Sequence, residues 1–318
     1  MRHLILLITL CISFMASAET PYPPVSVQVQ AEQLARHSYY IPGLPGAASL
    51  ANEGFMSNAG FVVTPEGVVV FDTLGSPSLA SEMLRRIREV TAAPIKRVIV
   101  SHYHADHYYG IQVFKDAGAE IWAFETAKNT VGSEDWRLRL EQRKDLLGRW
   151  INDQTQRFPA PDVWLSGDTD FELGGVHFKI RHVGPAHSPD DLAMFVAEDG
   201  VLYAGDLVFK GRVPFVGDAD SKRWLVALDK LIALQPKVLV PGHGGASDDP
   251  LGDLTLTRDY LRYLRQQMGR AVEDLIPFDE AYDNTDWSMY EKMPAFREAH
   301  RRNAYNTYIL MEKESLAK

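Results

Sequence analysis

The chain has 318 residues, 46% hydrophobic and 24% charged, with 23 Gly and 18 Pro. That composition excludes disordered, collagen-like and low-complexity classes and leaves an ordinary globular protein with material for a real core. Lys and Arg number 33 against 42 Asp and Glu, a net charge of −9, which argues against a nucleic-acid partner because phosphate binding rests on basic neutralisation.

In chain order, the first segment is 1–18. Arg2 and His3 precede the apolar run from Leu4 to Phe14, and Ala16-Ser17-Ala18 follows as a small-x-small cleavage site. This reads as a secretory signal peptide cut after Ala18, which places the mature protein in the periplasm or outside the cell. The alternative is a short buried N-terminal helix. The single cysteine, Cys11, lies inside this segment, and the bulky Leu10 before it argues against a lipid anchor. The mature chain then offers no disulfide and no thiolate ligand or nucleophile. Past the N-terminus no apolar run reaches the ~18 residues of a membrane span.

Residues 19–37 read as an extended lead-in, stiffened at its start by Pro21, Pro23 and Pro24. From Ser38 the pattern becomes strand-like: Tyr39–Ile41, then Gly60–Val63, a Thr-Pro-Glu-Gly turn and Val68–Asp72, a hairpin signal. Ser78–Val90 has helical spacing, with Leu79, Met83, Leu84 and Ile87 on one face. Lys96–Val100 is predicted as a strand and Tyr108–Ala117 as a helix. Residues 133–152 are predicted as a strongly charged helix, solvated on one side. The second half repeats this grammar: Phe171–Leu173 and Val176–Val183 around Gly174-Gly175, Ala193–Val196 and Val201–Ala204 around Glu-Asp-Gly, a helix over Trp224–Leu234 and a strand over Lys237–Val240. Two halves of this kind predict two sheets, each covered outside by helices. Leu254–Leu275 and Met293–Lys313 are predicted as long helices, and Trp287, Tyr290, Phe296, Tyr305 and Tyr308 as the aromatics that pack them on the main domain.

The informative stretch is Arg97-Val-Ile-Val-Ser-His-Tyr-His-Ala-Asp-His-Tyr-Tyr-Gly. In extended backbone, residues two apart point the same way, so His102 and His104 can grip one ion. Where the chain turns into a helix, Asp106 and His107 can face a second ion. One such histidine is most simply a core residue; four ligand-type residues within six positions at a strand end are hard to explain structurally. Three more candidates sit at strand ends: His187 after Lys179–Val183, Asp206 after Val201–Gly205, and His243 after Lys237–Val240. Singly, His187 and His243 read equally well as ligand or as structure; together they supply what two metals still lack.

His-Tyr-His-Ala-Asp-His at 102–107, followed by His187, Asp206 and His243, resembles the metallo-β-lactamase fold superfamily over roughly residues 38–245. The resemblance implies an α+β fold, an αββα four-layer sandwich with a C-terminal helical extension over 246–318. It implies two Zn2+, with His102, His104 and His187 on one, Asp106, His107 and His243 on the other, and Asp206 bridging both. Asp72 matches a family aspartate that buttresses the ligand loop. An aspartate at 206, where the best-known zinc β-lactamases have cysteine, is the pattern of glyoxalase II-like hydrolases and lactonases. Ala-Gly-Asp-Leu-Val-Phe and the tail Arg-Arg-Asn-Ala-Tyr-Asn-Thr-Tyr-Ile-Leu-Met-Glu are similar to periplasmic zinc hydrolases of sulfur-oxidation and quinoprotein systems. Around the third histidine the chain departs from the common Gly-His-Thr-Pro-Gly phrase, reading Gly-Pro-Ala-His-Ser-Pro-Asp-Asp.

Two cations about 3.5–4 Å apart lower the pKa of a shared water from about 15.7 toward ~7, which supplies hydroxide at neutral pH. The expected activity is hydrolysis of a small-molecule acyl bond (thioester, ester or lactone), with Asp106 orienting the attacking water. Lys210, Arg212, Tyr108 and Tyr109 are weak substrate-contact candidates. Iron or manganese are alternatives to zinc, since N/O sites accept several metals. The competing functions are a β-lactamase cleaving amides and a non-catalytic periplasmic metal-binding accessory.

Overall fold

The computed structural model describes residues 21–217 and 219–317; the signal-peptide reading of 1–18 lies outside them. The lead-in is packed rather than loose. Val29 is fully buried, the Ser26 backbone N–H donates to Glu53, and Trp150 Nε1 donates to the Pro24 carbonyl at 3.2 Å.

Among the described residues the first half contributes strands β1 (Glu32–Gln33), β2 (Ser38–Ile41), β3 (Ala59–Thr64), β4 (Gly67–Phe71), β5 (Ile95–Ile99), β6 (Glu120–Phe124) and β7 (Val163–Leu165), joined in that order into one sheet. Pairing is antiparallel from β1 to β4 and parallel from β4 to β7. Helices α1 (Pro77–Val90), α2 (Ala105–Tyr108), α3 (Ile111–Asp116), α4 (Ala127–Thr130) and α5 (Glu134–Leu147) lie between and beyond these strands. The second sheet holds β8 (Thr169–Leu173), β9 (Val176–His182), β10 (Leu192–Val196), β11 (Val201–Phe209) and β12 (Val238–His243), all antiparallel except the β11–β12 pair. Helices α6 (Ser221–Ala233), α7 (Pro250–Glu273), α8 (Phe278–Asp283) and α9 (Phe296–Leu316) complete the chain.

Period-two alternation builds the layers. Along β4, Val68 and Val70 face one core with the helices while Val69 and Phe71 face the other sheet. Along β11, Val201 and Tyr203 meet the first sheet, and Leu202 and Ala204 meet α6 and α7. Three apolar cores result: helices on the first sheet, sheet on sheet, and helices on the second sheet, the expected αββα sandwich. Helix α1 shows why these sequences take these places. Ser76 caps it, accepting from the Leu79 N–H at 3.2 Å, Pro77 opens it, and Leu79, Met83 and Ile87 form its buried stripe.

Four expectations need correction. The helix predicted over Tyr108–Ala117 is two short ones broken at Gly110, where any Cβ would lie 1.9 Å from the Thr73 carbonyl. Strands β1, β6 and β7 and helices α4 and α8 were not foreseen. The charged helix stops at Gly148. Strand β11 does not end before Asp206 but runs on to Phe209, through register shifts beside Gly205, whose φ is +53°.

Candidate metal centre

The seven ligand-type residues converge at one rim of the sandwich. Asp72 ends β4 in the left-handed region, φ +64°, which Asp tolerates better than most side chains. Its Oδ1 accepts the Ser101 N–H at 2.7 Å; its Oδ2 accepts the Ser101 hydroxyl at 2.8 Å and pairs with His107 Nδ1 at 2.8 Å. Ser101 Oγ, its proton committed to Asp72, accepts from His102 Nδ1 at 2.9 Å. His187 Nδ1 donates to the Phe215 carbonyl at 3.1 Å, and His243 Nδ1 to the Met56 carbonyl at 2.8 Å. Carbonyls and carboxylates only accept, so each of these four rings keeps its proton on Nδ1 and turns Nε2 inward. His104 is the exception: its Nδ1 points inward, 3.0 Å from Nε2 of both His102 and His187.

Two groups form. The ligand atoms of His102, His104, His187 and Asp206 lie within 4.8 Å of one another, as do those of Asp106, His107 and His243. Asp206 divides its oxygens between them. Oδ1 is 3.1 Å from His107 Nε2 and 3.3 Å from His243 Nε2, while Oδ2 is 3.4 Å from His187 Nε2 and 4.0 Å from His102 Nε2. Asp106 Oδ2 lies 3.3 Å from His243 Nε2 and 3.6 Å from His107 Nε2. Gly242 makes room for the carboxylate, since a Cβ there would sit 1.9 Å from Asp206 Oδ1.

These residues fit a metal. Asp106 Oδ2, His107 Nε2 and Asp206 Oδ1 are buried without a hydrogen-bond partner, near enough to pair but not aligned to do so. Stranding three polar atoms at one point is costly unless a cation takes them. A divalent ion satisfies them together, and the N/O donor set suits zinc, iron or manganese.

Electrostatics differ between the groups. Burial, helped by the charge of neighbouring histidines, lowers His102 well below the ordinary histidine value and His104 to about 3. Burial also disfavours charged His107 and His243, but Asp206 and Asp106 outweigh it, raising His107 and holding His243 up to about 9. Beyond His187, burial raises Asp190 to about 7 and Asp191 well above its usual range. The Ser188 hydroxyl lies 2.9 Å from Asp190 Oδ1 and 2.8 Å from Asp191 Oδ1. One hydroxyl proton cannot serve two carboxylates, so the trio is built to hold a proton.

A cleft of about 740 Å3 opens over both groups, lined by His104, Asp106, Asp206 and His243. Of the four weak substrate-contact candidates, Arg212 and Tyr109 line it. Lys210 does not: its Nζ donates to the Ala246 carbonyl at 3.0 Å. Tyr108, 3% exposed, is buried in the core beside Phe158. The sequence reading missed the opposite wall, where α5 presents Asp135, Leu138, Arg139, Gln142, Arg143 and Leu146 to the cleft. Their i, i+3, i+4 spacing was the available signal, but charges and leucines share that face, so no apolar stripe marks it. The carbonyls of Met56 and Phe215, which orient two rings, carry no side-chain signal at all.

Comparison with known proteins places this geometry. The model of the metallo-beta-lactamase superfamily matches residues 52–243. The linear primary-alkylsulfatase of Pseudomonas sp. (strain ATCC 19151) is 25% identical over 253 residues, covering 69% of this chain and 48% of that protein. The metallo-beta-lactamase type 2 of Bacillus cereus is 23% identical over 283 residues, covering 82% of this chain and 100% of that protein. Among solved structures, a stereoselective inverting sec-alkylsulfatase from Pseudomonas sp. superposes with TM-score 0.70 at 16% identity, over 88% of this chain and 50% of that one. The chain thus spans about half the length of either alkylsulfatase.

Proposed function

The chain belongs to the metallo-beta-lactamase superfamily, and from that membership we propose that it is a dinuclear zinc hydrolase of small-molecule acyl bonds (thioester, ester or lactone), of the bridging-aspartate, glyoxalase II-like kind, acting in the periplasm or outside the cell. The observation that carries this is Asp206, whose two oxygens face different ligand groups. Iron or manganese could stand in the same N/O donor set.

When bound, the metal pair supplies an activated water and a Lewis acid for the scissile carbonyl. The chain's part is placement. Asp72, Ser101 and the Met56 and Phe215 carbonyls hold four imidazoles in the tautomer that can ligate. Asp106, 7% exposed and lining the cleft, offers a carboxylate to orient the attacking water and accept its proton. Water adds to the carbonyl carbon, and the leaving oxygen or sulfur departs with a proton.

A second reading, sulfate-ester hydrolysis, is favoured by the likeness to the linear primary-alkylsulfatase and by the arginines lining the cleft. A panel of p-nitrophenyl esters, a thioester, a lactone, nitrocefin and an alkyl sulfate, assayed on zinc-loaded protein with and without chelator, tests the proposal. Chelator-sensitive turnover of an acyl ester is the expected result. Turnover confined to the sulfate or to nitrocefin, or no turnover at all, rejects the acyl assignment.

A further inference from the structure

The cleft carries cations that the hydrolytic chemistry does not use. Arg139 and Arg143 come from α5 in the first half of the chain; Arg212 follows β11 and Arg302 lies on α9 in the second. Against them, beyond Asp106 and Asp206, the lining holds the single carboxylate of Asp135. Arg212 Nε is buried with no hydrogen-bond partner, and its guanidinium sits 5.7 Å above the Phe209 ring. No carboxylate pairs with Arg143 or Arg212 among the described residues. Both are only partly exposed, so each gives up some hydration without a protein anion in return. Arg139 Nη1 lies 3.4 Å from His104 Nε2, which sets a guanidinium beside the first ligand group.

Apolar surface lines the same cleft. Leu138 is 56% exposed, Leu146 39% and Phe215 38%, and all three line the cleft. Exposed leucines and a phenylalanine beside arginines match a ligand with both an apolar segment and a charged end.

We propose that this cleft selects substrates carrying an oxyanion joined to an apolar segment, the oxyanion held by Arg143 and Arg212 while the scissile bond lies over the histidine–aspartate cluster. The planar guanidinium fork suits carboxylate, sulfonate and phosphate oxygens alike. This rests on the hydrolase reading only for the position of the scissile bond; recognition of the anion stands apart from it.

Two arms test it on the zinc-loaded full chain. In the first, turnover of mono-p-nitrophenyl adipate, which ends in a carboxylate, is compared with that of neutral p-nitrophenyl hexanoate. The anionic ester is expected to be preferred through KM. Arg212→Gln should raise its KM by at least about tenfold, the scale of one charge-assisted contact, with kcat and the neutral ester little changed; Arg212→Lys should restore part of the loss. In the second, calorimetry compares octane-1-sulfonate, which cannot be hydrolysed, with octan-1-ol. Sulfonate binding that is tighter, salt-sensitive and weakened in Arg212→Gln supports the proposal. Should that variant not fold, Arg143→Gln, on the exposed helix α5, carries the same test. Equal KM values for the two esters, or sulfonate binding no tighter than the alcohol's and unchanged in the variants, overturns the proposal while leaving hydrolysis intact. If no ester turns over, the hydrolase reading fails and the sulfonate arm alone decides this one.

Discussion

The group of His102, His104 and His187 and the group of Asp106, His107 and His243 share Asp206 but differ in charge. Apart from the shared carboxylate, the first is all imidazole, with ring nitrogens 3.0 Å apart and basicities pushed down by burial. The second has a carboxylate of its own, and its imidazoles are held basic. The first is therefore a neutral pocket that leans on Asp206 for its only negative charge, whereas the second keeps Asp106 when Asp206 is altered. Removing the shared charge should hurt the first group more.

Gly242→Ala should break this comparison most completely. A Cβ 1.9 Å from Asp206 Oδ1 forces the carboxylate away from both groups. Turnover should fall by orders of magnitude, each tenfold being ~1.4 kcal/mol of barrier, with metal content reduced at both positions while far-ultraviolet circular dichroism stays native. His102→Ala and His243→Ala sharpen it: each should empty mainly its own group, and cobalt substitution followed by absorption spectroscopy would distinguish the remaining site.

Asn303→Ala asks how far the first group depends on the C-terminal helices. Asn303, fully buried on α9, accepts the Val216 N–H and donates to the Pro214 carbonyl and the Tyr260 hydroxyl. It thereby holds the loop whose Phe215 carbonyl orients His187. Losing these buried bonds should cost about 2–4 kcal/mol, read by thermal denaturation, and should weaken zinc at the first group more than at the second.

Asp190→Asn gives the smallest effect and a pH signature. The native state keeps a proton on Asp190 up to about pH 7, whereas an unfolded aspartate loses it near its ordinary value of 3.8. Wild-type stability therefore falls as pH rises through that window. Asparagine is neutral throughout, so the variant should gain on wild type between pH 4 and 7 and level off above. A constant difference across pH, measured by chemical denaturation, would count against the shared proton.

The same two groups show what a sequence discloses. Four ligands fall within His102–His107, where strand-to-helix spacing alone gathers them, and this loop was legible outright. His187, Asp206 and His243 lie on separate loops or strands and become readable only through the rule that sites cluster at strand ends. Even so, Asp206 sits inside β11, because the Gly205 irregularity turns the strand without ending it. The layers followed from the order of elements, hairpins, helix and buried strand repeated in the two halves; β1 and β7 were too short to register in that order. Lys210 looked as well placed as Arg212, two residues on, but β11 has ended and the chain turns through Gly211, φ +69°, so its amine closes on Ala246 instead. The α5 wall stayed hidden because a face of alternating charge and leucine reads as solvated.

Zinc stoichiometry in wild-type protein and in Asp206→Asn, measured by elemental analysis after loading and removal of free metal, tests the two-metal, shared-carboxylate account most directly. The expected result is close to two ions per chain in the wild type and a selective loss at the first group in the variant, together with a drop in turnover. One ion or none in loaded wild type, or an Asp206→Asn protein that keeps both ions and near-normal turnover, would contradict it.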